Sequence, residues 1–166
     1  GAARVVAVDV GHGQFAWELR HDPRIDLRER TNARTLRRNG IDAPFDLAVV
    51  DLSFISVRHI LPVLAELLDP QGRAVVLVKP QFEVGKGQVG KGGVVRDKQQ
   101  HAKVLQEVGN AARQAGFEVL AAALSVLRGA KGNREFFLHL WRRRTSGAGS
   151  SRSLEAFLAI YLTDTM

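Results

Sequence analysis

Three short apolar runs, each closing on or near a charged residue, constrain this chain most. Residues 4–10 (RVVAVDV) run into Gly11, residues 46–51 (DLAVVD) end on Asp51, and residues 73–79 (RAVVLVK) end on Lys79 just before Pro80. Short β-branched runs bounded by turn residues read as buried strands. Pro80 also disfavours helical backbone at Lys79, because its ring crowds the residue before it. The segments between these runs are patterned as helix or turn. Ile60, Leu61, Leu64, Leu67 and Leu68 share one face of a helix expected over about 57–68, with Ser53 or Ser56 as its cap. Residues 14–20 suit a short helix, 25–29 a second strand, and Pro70-Gln71-Gly72 a turn. Strands alternating with helices imply an α/β fold built on a parallel sheet.

The second half completes this pattern. A Gly- and Lys-rich loop spans 83–96, and a helix is expected over about 97–115, capped by Asp97 and ended by Gly116. Residues 117–126 and 134–141 read as strands joined by RGAKGN, a connection short enough to imply an antiparallel pair. Residues 145–153 (TSGAGSSRS) have linker composition. The apolar stretch LEAFLAIYL that follows is compatible with helix, strand or a tail without fixed structure.

Composition narrows the function classes. The chain has 166 residues, enough for one domain with a real core. It has no cysteine, which excludes disulfides and Cys-based zinc sites, and none of its five histidines has a partner at metal-binding spacing. No apolar run approaches the roughly 18–20 residues that cross a bilayer, and a cytoplasmic location is the expectation. A formal net charge of +7, with Arg142, Arg143 and Arg144 in one cluster, favours an acidic partner, and nucleic acid leads.

In an open parallel sheet, ligands bind beyond the carboxyl ends of the strands. Asp9, Glu29, Asp51 and Lys79 all stand at such ends. Asp51 and Lys79 close strands expected to be neighbours, so they can meet in one crevice, where a Lys beside carboxylates can hold or deprotonate a substrate hydroxyl. Glu135 reaches the same edge if the last strand is antiparallel. Two nucleotide motifs compete with this reading. Gly11 to Ala16 matches G-x-G-x-x-A, with Glu29 placed as a ribose acid, but Asp9 stands where it would repel a pyrophosphate. Gly85 to Lys91 matches a phosphate loop only as far as Lys91, because Gly92 replaces the magnesium-binding hydroxyl.

The stretches VVAVDVGHGQFAWELR, ERTNAR, DLAVVDLSFISV, LVKPQFEVGKGQVGKGGVVRD and GAKGNREFFLHL resemble the hemolysin-A-type (TlyA-like) RNA methyltransferases, within the larger FtsJ-like group, over roughly residues 1–144. The resemblance implies a Rossmann-like methyltransferase sheet with helices on both faces and a C-terminal antiparallel pair. It implies S-adenosylmethionine as cofactor, ribosomal RNA or ribosomal subunits as partner, and 2′-O-methylation of cytidine. Such enzymes use a Lys-Asp-Lys-Glu set, which assigns catalytic roles to Asp51, Lys79 and Glu135. By the same likeness Asp9 and Val10 face the cofactor ribose, Asn32 and Ala33 the adenine, and Asp51, Leu52 and Ser53 lie beside the cofactor; no metal is implied. Family members carry an S4-like domain, the first catalytic Lys, one strand and a Gly-rich loop before the equivalent of Gly1. The chain therefore reads as N-terminally truncated and inactive alone, with a gap in its sheet between 4–10 and 46–51. Residues 145–166 lie beyond the resemblance, and 154–162 could cover an exposed edge. The alternatives are a non-catalytic RNA- or ribosome-binding module and a nicotinamide-binding Rossmann domain.

Overall fold

The computed structural model describes residues 1–85, 87, 89–90, 92–143 and 152–163. Its strands fall into two sheets. β1 (Val5–Val8) and β2 (Ile25–Arg28) form a parallel pair. β3 (Phe45–Asp51), β4 (Leu68–Val78), β5 (Phe117–Leu124) and β6 (Phe136–Arg142) form a four-stranded sheet in the order β3-β4-β6-β5. β3 and β4 are parallel, whereas β6 is antiparallel to both β4 and β5. No ladder joins β1 to β3. Leu47 and Val49 of β3 are 56% and 75% exposed.

The core lies on one face of the larger sheet. Strand side chains alternate between faces, and Val50, Ala74, Val76, Val78, Val119, Phe136, Leu138 and Leu140 share a buried side. Helix α1 (Leu61–Leu67) packs there through Leu61 and Leu64, entered by a 3-10 turn over Val57–His59. Ser56, not Ser53, caps that turn by accepting from the Arg58 amide. A short α2 (Pro80–Glu83) follows β4 directly. Helix α3 (Lys98–Gln114) buries Ala102, Leu105, Val108 and Ala112, with Asp97 as its cap. Gly116, at φ +89, ends it in a conformation that costs a side chain-bearing residue energy. A smaller cluster of Ile41, Val63 and Leu67, with Val6 and Leu36 packed against it, ties the β1–β2 unit to α1.

Two local expectations resolve differently, and the structure decides a third that the sequence left open. Residues 14–20 hold only a 3-10 turn at Trp17–Leu19, because Trp17 (72% exposed) and Leu19 (44%) have no apolar surface to bury against. The 70–72 turn is absorbed into β4 as a bulge: Phe45 pairs with Leu68 and Leu47 with Arg73, so residues 69–72 loop out within the ladder. Asp69 holds this bulge by accepting from the Gln71 amide. The tail, whose state the sequence leaves open, forms helix α4 (Arg152–Thr163), packed on β5 and α3 with Leu154, Leu158 and Tyr161 in the main core. Gly109 permits that approach, since a Cβ there would lie 2.6 Å from Leu154 Cδ2.

Candidate active site

Three strand ends converge at one edge of the larger sheet. Asp51 closes β3 opposite Leu77. The β4–β6 ladder stops at Val78–Phe136, so Lys79 and Glu135 are the next residues on two adjacent strands. Lys79 is extended, at φ −111 and ψ 100, as the proline after it requires. Its ammonium lies 2.6 Å from Asp51 Oδ1 and donates to Ser53 Oγ at 3.3 Å. The Lys79 side chain is 12% exposed and that of Asp51 64%. The cation is thus largely desolvated while the carboxylate facing it remains open to a ligand. Glu135 is buried and accepts from Gln81 Nε2 at 3.4 Å. Gln81 Oε1 is a buried acceptor without a hydrogen-bond partner.

A second buried carboxylate organises this edge, and the sequence pattern alone did not single it out. Glu83 accepts from Ser56 Oγ at 2.6 Å and from the Val57 amide at 2.7 Å, and lies 3.3 Å from Arg58 Nε. It therefore clamps the DLSFIS segment after β3 to the VKPQFE segment after β4. An acid three residues beyond a helix-starting proline was the available signal. Phe54 was also missed. It is 91% exposed, sits at φ +66 and packs its ring against Phe82 at 5.1 Å. A bulky residue in the left-handed region is uncommon and clusters at functional sites.

The residues assigned to the cofactor lie at the carboxyl ends of both sheets. Asp9 is exposed, with Oδ1 accepting from the Gly11 amide at 2.6 Å, and Val10 beside it is exposed too. The loop after β2 runs alongside, held by Thr31 N to Asp9 O and Arg30 N to Gly11 O, both at 2.9 Å. Asn32 caps the 3-10 turn containing Ala33. Leu52 and Ser53 follow Asp51 directly. An open carboxylate at a strand end suits a vicinal ribose diol, so the nucleoside side of S-adenosylmethionine fits the residues present.

The competing motifs are occupied otherwise. Glu29 is bound by Arg20 at 2.6 Å and by the Gly13 amide at 2.8 Å, with His12 at 3.1 Å. The Arg20 guanidinium is the main reason that its carboxyl falls to about 2. With Glu29 so engaged and no α-helix after Gly13, the Gly11–Ala16 loop offers no helix N-terminus to a pyrophosphate. Of the phosphate-loop match, Lys86 and Lys91 lie outside the described residues, and α3 does not begin until Lys98. In the arginine cluster, Arg142 donates to the Leu68 carbonyl, and Arg143 pairs with Glu118 at 2.9 Å and covers the Trp141 ring. Arg144 lies outside the described residues. Among the described residues, no group of three or more His, Asp or Glu side chains is placed to hold a metal ion.

The chain resembles known proteins in sequence and in fold. Residues 1–142 match the family model of the FtsJ-like methyltransferases. The chain is 50% identical over 155 residues to the 16S/23S rRNA (cytidine-2′-O)-methyltransferase TlyA of Mycobacterium tuberculosis, covering 93% of this chain and 58% of that protein. A solved putative hemolysin from Streptococcus thermophilus superposes with a TM-score of 0.89 at 39% identity, over 98% of this chain and 59% of that one. Another from Lactococcus lactis gives 0.87 at 36% identity, over 96% and 76%. The chain thus spans little more than half the length of the curated relative. With the family model covering most of its length and its fold shared end to end, the chain belongs to the FtsJ-like methyltransferases.

Proposed function

We propose that this chain carries the catalytic edge of an S-adenosylmethionine-dependent ribosomal RNA methyltransferase that modifies the 2′-hydroxyl of cytidine ribose. The observation that carries the reading is the Lys79–Asp51 contact of 2.6 Å, with Glu135 at the neighbouring register. Lys79 Nζ, after losing its own proton to solvent, accepts the proton of the ribose 2′-hydroxyl as that oxygen attacks, and the ammonium so formed stabilises the charge developing on the oxygen. Asp51 and the nearby Glu135 hold the charge and direction of the ammonium. When bound, S-adenosylmethionine supplies a methyl group made electrophilic by its sulfonium. Asp9 and Val10 hold its ribose, Asn32 and Ala33 its adenine, and Leu52 and Ser53 flank it. No bound metal enters the scheme.

The test is methyl transfer from radiolabelled cofactor to ribosomal RNA by the full-length gene product. Lys79→Ala is expected to abolish labelling while circular dichroism and thermal stability stay near wild type. Labelling at the wild-type rate by that variant would refute the mechanism. Binding of RNA without cofactor binding or labelling by any form of the protein would favour the non-catalytic module instead.

A further inference from the structure

A second site lies beside Glu135 on the loop between β5 and β6. Arg96, Arg128, Lys131 and Arg134 line one pocket of about 260 Å³. Among the described residues, no carboxylate lies within ion-pair distance of Arg96, Arg128 or Lys131. Asp97, next to Arg96, turns its Oδ1 to the Gln99 amide as the α3 cap. Gathering like charges costs free energy unless an anion shares the site.

The scaffold that gathers them is built from buried polar groups. Asn133 is 2% exposed. Its Oδ1 accepts from the Val95 amide at 3.1 Å, and its Nδ2 donates to the carbonyls of Gly93 at 3.0 Å and Ala130 at 2.9 Å. It thereby staples the loop carrying Arg96 to the loop carrying Lys131. His101, 1% exposed, bonds the Val95 carbonyl at 2.9 Å and the Tyr161 hydroxyl at 2.7 Å. The Arg134 guanidinium lies over the Tyr161 ring at 5.9 Å, so α4 helps to position a residue that lines the pocket. Lys131 is held at φ +58, a left-handed position that costs a residue with a side chain free energy and is retained where the surroundings enforce it. Val126 and Leu127, 96% and 76% exposed, rise next to Arg128. Cations flanked by open apolar surface suit a chain of phosphates and bases.

We infer that this pocket binds a backbone phosphate of the RNA substrate, setting the strand so that a nearby ribose reaches Lys79. The inference rests on the methyltransferase reading for its substrate, but its test does not need turnover. Binding of a single-stranded RNA oligonucleotide to this chain is measured by fluorescence anisotropy across a salt series. For the double variant Arg128→Gln/Lys131→Asn, which leaves that one phosphate without its cations, the slope of log affinity against log salt is expected to fall by about 0.7. Asn tolerates the left-handed backbone at position 131. A charge-matched control, Arg73→Gln/Arg113→Gln, removes exposed and half-buried cations near the opposite edge of the sheet, and is expected to leave the slope near wild type. A pocket variant with an unchanged slope, or one changed no more than the control, overturns the inference. Lys79→Ala in the full-length labelling assay reports on the catalytic reading separately. Retained labelling there, with a lowered slope in the pocket variant, would sink the mechanism and leave the phosphate site standing.

Discussion

Gly129 and the buried carboxylate of Glu135 are in direct apposition: a Cβ at position 129 would lie 2.5 Å from the Glu135 carboxyl carbon and closer still to Oε1. The absence of a side chain at 129 is therefore what leaves Glu135 room at the edge it shares with Lys79. Gly129→Ala is expected to push the carboxylate aside and lower methyl transfer by roughly 10²-fold, the cost of misplacing a catalytic group by about an ångström. Single-turnover labelling measures this, with thermal unfolding as the control for folding. Turnover within twofold of wild type would show that Glu135 does not need its present position.

Glu83→Ala tests the clamp between the segments after β3 and β4. The change strands the Val57 amide and takes its acceptor from Ser56 Oγ, while Arg58 keeps its pair with Glu107 at 3.1 Å. Leaving a buried donor unsatisfied costs about 1–3 kcal/mol, and urea denaturation should show a decrease of that order. A decrease below about 1 kcal/mol would mean that the loops find other partners at little cost.

His101 makes stability depend on pH. Burial is the main cause that lowers its pKa, and the nearby Arg134 and Arg128 act in the same sense. The unfolded imidazole titrates near about 6.5, so below that pH the unfolded chain binds a proton that the folded chain resists. The contribution of His101 is thus full above about 6.5 and declines as pH falls below it. Melting temperatures at pH 7.5 and 5.5 should show this decline in wild type. A smaller decline is expected in His101→Asn, after correction for its own stability offset.

The tail helix is expected to be part of the stable unit. Leu154 is 2% exposed in the main core, so Leu154→Ala should cost about 2–5 kcal/mol. Deleting residues 144–166 should lower the melting temperature further and expose apolar surface on α3 and β5. Equal stability of the deleted and intact chains would show that α4 only rests on the fold.

Much of the fold was legible because periodicity is a local property. Val50, Val76 and Val78 announce strands by their branched side chains, and Leu61 and Leu64 announce a helix by their spacing. Residues 14–20 misled because a helical pattern forms a helix only where a partner surface repays ordering it, and Trp17 and Leu19 have none. The Pro70–Gly72 turn was correct as local chemistry, but it closes inside the ladder with β3 instead of ending a strand.

The sequence by itself determined the chemical types at the strand ends, the extended backbone of Lys79 before Pro80, and the antiparallel return that brings Glu135 back toward them. Those features follow from local sterics and from the length of a connection. Only the tertiary structure brought Asp51 into contact with Lys79 and set Glu135 at the neighbouring register of the same edge. It set the Lys79–Asp51 distance at 2.6 Å, gave Glu83 rather than a solvent cap the task of joining two loops, and folded α4 against the core. It also engaged Arg142 and Arg143 structurally while gathering Arg96, Arg128, Lys131 and Arg134 beside Glu135. Each of these joins residues distant in sequence. Their free energy depends on separation and desolvation in space, which a linear pattern of residues does not carry.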